Sequence, residues 1–122
     1  MRIIIGIVIG VVAWMAVVVG VSLLLRAVAP DINAALVAHT STVAMAERLA
    51  ISFLGSLVGG YLAALIAKDQ RAPLIAGLLL LAGWGYFHVM VIWHQFPLWY
   101  HLTFFASLLL LSILGGRLVR AK

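Results

Sequence analysis

Cysteine is missing from these 122 residues, which removes disulfides, thiolate metal sites and thiol chemistry. Acid is nearly missing. Asp31, Glu47 and Asp69 are the only carboxylates, and all three fall in connections or at the ends of apolar runs. Proton- and sodium-coupled transporters generally rely on a carboxylate within the membrane, because an ionisable group there is costly unless it is used. No serine has a base beside it, and there is neither a carboxylate pair nor a glycine-rich phosphate loop. The chain is therefore not expected to be an enzyme. Charge of any kind is scarce, at 9% of residues, whereas 66% are hydrophobic. A soluble domain is nearer half apolar and a quarter charged, and a chain this short cannot hide so much apolar surface from water.

What the chain does have is long uncharged runs. Ile3 to Leu25 holds 23 residues without a charge, and a bilayer crossing needs about 20. Further runs extend over Leu49–Ala67, Ala72–Trp93 and Leu98–Gly116, with Pro73 in a first turn, where its missing N–H costs little. The expected fold is all-α. It is a polytopic membrane protein whose single domain, residues 1–122, is an antiparallel bundle of four transmembrane helices at about 3–27, 43–68, 72–94 and 97–118. Closed barrels also cross membranes, but these runs lack strand-like alternation. A cleaved signal peptide is the competing reading of the first run. The run is too long for one, and Pro30 would directly follow the Ala27-Val28-Ala29 site. Residues 28–42 form the one long connection, where Ala29-Pro30-Asp31 suggests the start of a short interfacial helix.

Basic residues orient the helices. Arg2, Lys68, Arg71, Arg117, Arg120 and Lys122 fall on one side, against Arg26 and Arg48 on the other. Six against two predicts cytoplasmic termini. The net charge of +5 is thereby read as a topology signal, not as a nucleic-acid surface. Trp93, Phe96, Trp99 and Tyr100 gather at the outer turn, where interfacial rings belong.

Small residues suggest where helices meet. In lipid, apolar burial supplies no net drive, so close backbone contact counts for more. Gly6 and Gly10 recur in the first helix. Ser52, Gly55, Ser56, Gly59 and Gly60 recur in the second. Intramolecular packing explains them, and so does docking of a second copy or another membrane protein.

Candidate functional residues lie toward the outer side. Glu47 and Arg48 form a polar site about a turn into the second helix, as an interfacial pair or with Arg48 facing the interior. His88 and His101 fall at similar depth on neighbouring antiparallel helices, with His94 in the turn between. They are candidates to share a hydrogen bond, a metal, a haem or a quinone. Their spacings of six and seven differ from the three or four of zinc-binding helix faces. Trp84, one turn from His88, is expected to join His88 and His101 in a polar knot, since a buried indole N–H wants a partner.

Phe96-Pro97-Leu98-Trp99-Tyr100-His101-Leu102, Leu114-Gly115-Gly116-Arg117-Leu118 and the stretch Gly59-Gly60-Tyr61-Leu62-Ala63-Ala64-Leu65-Ile66-Ala67 resemble small four-helix inner-membrane proteins of bacteria. That resemblance implies the fold and location but no activity, cofactor or site. In size the chain also resembles small multidrug-resistance transporters, from which it departs by having no glutamate in its first helix. The function expected is a non-enzymatic accessory, scaffold or assembly partner in the lipid bilayer. An oligomeric transporter or channel, and a histidine-based metal, haem or quinone site, stand as alternatives.

Overall fold

The computed structural model describes residues 1–28 and 42–120. The expected interfacial helix after Ala29, together with Asp31 and His39, lies outside them. Four long helices account for nearly all described residues, and no strand occurs among them. They are α1 (Arg2–Val28), α2 (Thr42–Ala67), α3 (Arg71–Phe87) and α4 (Leu98–Arg120). Each agrees with the expected span to within a residue or two, save that α3 stops early. Its axis continues as a π-helical turn over His88–Ile92 and a 3-10 turn over Trp93–Gln95. All four are long and apolar enough to cross a membrane, with candidate spans of 24, 23, 21 and 22 residues.

Helix α2 is the central element. It packs along α1 on one flank and α4 on another, and α3 lies against all three. Its small residues set these contacts. A side chain at Gly10 would meet the Gly59 carbonyl at 2.8 Å, and one at Gly59 would meet the Gly10 carbonyl at 2.7 Å. Gly6 faces Ala63 and Ala67, and Gly55 faces Trp14. Gly6, Gly10 and Trp14 thus descend α2 as their own numbers rise, so α1 and α2 run in opposite directions. On the other flank, a side chain at Gly60 would strike the Ser112 carbonyl, and one at Gly115 the Leu57 carbonyl. Helices this close gain dispersion contacts that larger side chains would prevent.

Gly6, Gly10, Ser52, Gly55, Ser56, Gly59 and Gly60 are all buried. The face that the sequence left open to either packing or docking is therefore filled from within the chain. Ser56 also accepts a hydrogen bond from Trp14 Nε1 at 3.2 Å. This gives the one deeply buried indole of α1 the partner that it needs in apolar surroundings. Large apolar side chains such as Ile4, Val12, Leu79, Leu102 and Leu110 point outward, as lipid as the surrounding medium would have it.

Candidate functional site

The polar groups gather at the end of the molecule where α3 passes into α4. His88 opens the π turn and is buried, and His101 lies one turn into α4 and is fully buried. Their Nδ1 atoms are 2.7 Å apart. The other ring nitrogen of His101, Nε2, lies 3.0 Å from the Trp93 carbonyl oxygen. A carbonyl only accepts, so His101 carries its proton on Nε2. With both rings neutral, His101 Nδ1 is then the acceptor, and His88 Nδ1–H donates to it. The chain of bonds therefore has a direction: His88 to His101 to the backbone of Trp93.

Local sequence explains why that carbonyl is available. In a continued α-helix the Trp93 oxygen would accept from the N–H four residues on. That residue is Pro97, which has no N–H. Pro97 in turn begins α4, its carbonyl accepting from Tyr100 N at 3.1 Å and His101 N at 3.5 Å. The same proline thus removes one donor from Trp93 and sets the helix that carries its replacement.

Aromatic rings enclose the pair. His88 stacks on Phe104, with centroids 4.5 Å apart, and lies nearly parallel to Tyr100 at 5.9 Å. His101 stacks on Trp93 at 4.4 Å. Phe96 and Tyr100 stack at 4.6 Å. The Arg48 guanidinium sits 5.7 Å from the centre of the Phe96 ring. Arg48 is thus turned toward this cluster. Its neighbour Glu47 has a buried carboxylate oxygen, Oε2, with no hydrogen-bond partner among the described residues, and the same is true of Ser52 Oγ.

The knot differs from the expected one at a single member. Trp84 makes no hydrogen bond to either histidine. It packs instead on Trp14 at 5.5 Å, Phe87 at 5.5 Å and Phe104 at 6.4 Å, tying α1 to α3 and α4. The third polar member is the Trp93 carbonyl. Its signal was present in the sequence as Pro97 four residues after Trp93, with His101 a further four on. Tyr100 and Phe104, the rings beside His88, carried the i, i+4 spacing that shares one helix face.

Chemically, the arrangement joins α3 and α4 through polar groups that would otherwise be stranded in apolar surroundings. His94 is exposed in the turn and takes no part in the pair. Among the described residues, no three His, Asp or Glu side chains form a group able to hold a metal ion. No known protein family matches the chain, and neither a curated protein nor a solved structure matches it.

Proposed function

We propose that the chain is an integral protein of a bacterial inner membrane, with four antiparallel spans and both termini in the cytoplasm. Its role on this reading is that of a non-enzymatic accessory or assembly partner to another membrane protein. Four apolar helices and the six-to-two distribution of basic residues support the placement.

One observation carries the accessory role. The glycines of α2 are all consumed by contacts inside the chain, whereas Gly83 of α3 has nothing within 4 Å of the place a side chain would occupy. Around it Leu79, Tyr86 and Met90 are exposed, Tyr86 to 69% and Met90 to 64%. A glycine gains nothing from facing lipid, but it lets the backbone of a partner helix come close.

Gly83→Leu is the discriminating variant. It has room within the monomer, so its thermal stability in detergent should match wild type within about 0.5 kcal/mol, the range of surface substitutions. Affinity purification from native membranes, followed by mass spectrometry, should recover a membrane partner with wild type and lose it with Gly83→Leu. Recovery of a bare monomer in both cases defeats the reading. Solute flux into liposomes holding the purified chain alone would favour the transporter alternative instead.

A further inference from the structure

The opposite end of the molecule holds a feature that the histidine site does not use. Where α2 turns into α3, a cleft of about 410 Å³ opens between Ala64, Leu65, Lys68, Asp69, Gln70 and Val119. We infer that this cleft is a binding site for an anionic phospholipid, with its phosphate against Lys68 and an acyl chain along Leu65 and Val119. The inference rests on the membrane placement proposed above.

Charge is the first argument. Asp69 would repel a phosphate were its charge free, but Arg71 holds both of its oxygens. Asp69 Oδ1 accepts from the Arg71 backbone N–H at 2.8 Å and from Nε at 3.2 Å. Oδ2 accepts from Nε at 3.2 Å and from a terminal nitrogen at 2.8 Å. Lys68 has no such partner among the described residues, so it is the uncompensated charge in the lining. The surroundings reinforce it. Gly6 lies on Ala63 and Ala67, and Gly116 lies on Pro73 and Gln70. Those contacts bring Arg2 and Arg117, both exposed, to the same end of the molecule. Basic residues beside a span attract anionic headgroups.

Shape is the second argument. Lys68 follows the last residue of α2 with φ of 56°, a left-handed conformation that non-glycine residues seldom adopt. Its N–H still keeps the helix register, donating to the Ala64 carbonyl at 2.8 Å. Gln70 is fixed by donating from Nε2 to the Gly116 carbonyl at 2.9 Å, which pins the turn to α4. The lining is thus built from anchored backbone, and its apolar part is continuous with surface that faces lipid, Leu65 and Leu118 being 45% and 49% exposed.

The test is native mass spectrometry of the full chain released from nanodiscs of equal phosphatidylglycerol and phosphatidylcholine. Wild type should retain phosphatidylglycerol in preference. Lys68→Gln should lower that preference roughly fivefold, the effect of one lysine near a charged membrane surface, and Lys68→Arg should restore it. Val119→Trp keeps the charge but fills the cleft, and should lower retention of both lipids. Equal retention of the two lipids by wild type, a preference indifferent to Lys68→Gln, or total retention indifferent to Val119→Trp overturns the site. Alkaline carbonate extraction of cell membranes checks the placement separately. A chain that washes off fails the membrane reading, whereas one that stays without a lipid preference fails only this site.

Discussion

The two ends of the molecule solve the same problem by different means. At the Lys68 end, α2 meets its neighbours through backbone. Gly10 and Gly59 lie carbonyl against carbon, and Gly60 and Gly115 each sit on a carbonyl of the facing helix. At the His88 end the helices carry Trp14, Trp84, Tyr100 and Phe104, large rings that pack in one apolar cluster. There the polar pair His88 and His101 and the Trp14–Ser56 bond supply the specific contacts. Close approach needs absence of side chain, and is intolerant of any addition. A hydrogen-bonded knot needs particular atoms, and is intolerant of their removal. The ends should therefore fail under opposite kinds of mutation.

The largest effect belongs to the glycine end. Gly60→Leu places its first side-chain carbon on the Ser112 backbone, which no rotamer relieves. It should cost more than about 3 kcal/mol, beyond the usual range for overpacking because backbone must move. Thermal unfolding in detergent will report it as loss of the folded monomer. A stable Gly60→Leu protein would mean that α2 and α4 are not in the contact described.

Next comes the histidine end. His101→Ala strands the His88 Nδ1–H and takes the side-chain donor from the Trp93 carbonyl, at about 1–3 kcal/mol for each buried group left unpaired. His88→Ala leaves the His101–Trp93 bond intact and should cost less. The double variant should cost less than the sum, with a coupling of roughly 0.5–2 kcal/mol if the rings bond directly. Additive costs would sever the pair.

The smallest effect is expected at the exposed ion pair. The Arg71 side-chain hydrogen bonds, followed by its backbone N–H, hold the Asp69 carboxyl below its ordinary value. A lowered value means that folding favours the charged form. Its contribution is complete above the ordinary carboxylate range and is lost as pH falls through the lower folded value. Both partners meet water, so the contribution is slight. Melting curves of wild type and Asp69→Asn should differ a little at neutral pH and converge in acid. A gap that widens in acid would reverse the sign.

Much of this was legible in the sequence, because lipid imposes a simple rule on length and charge. The four uncharged runs became four helices, and the similar depth of His88 and His101 became a 2.7 Å contact. The fate of particular glycines was not legible. Gly59 and Gly83 look alike in a string of apolar residues, and only the arrangement of neighbours separates the filled position from the open one. Trp84 was placed wrongly in the knot for a related reason. Its spacing from His88 put it on the correct stripe, but a stripe is wider than one hydrogen bond, and Trp14 and Phe104 took the ring. The cleft at Lys68 is lined by a left-handed residue, which no periodicity announces.

The π turn at His88–Ile92 has a bearing on how this chain can vary. Such a turn holds one residue more than α geometry requires. Deleting any one residue from it would restore regular winding, and would rotate everything beyond by about 100°. Trp93 would turn its carbonyl away from His101, and Pro97 would start α4 from a different bearing. Val89 and Val91 face outward, where one apolar side chain can replace another. In this segment the number of residues matters more to the structure than their identity.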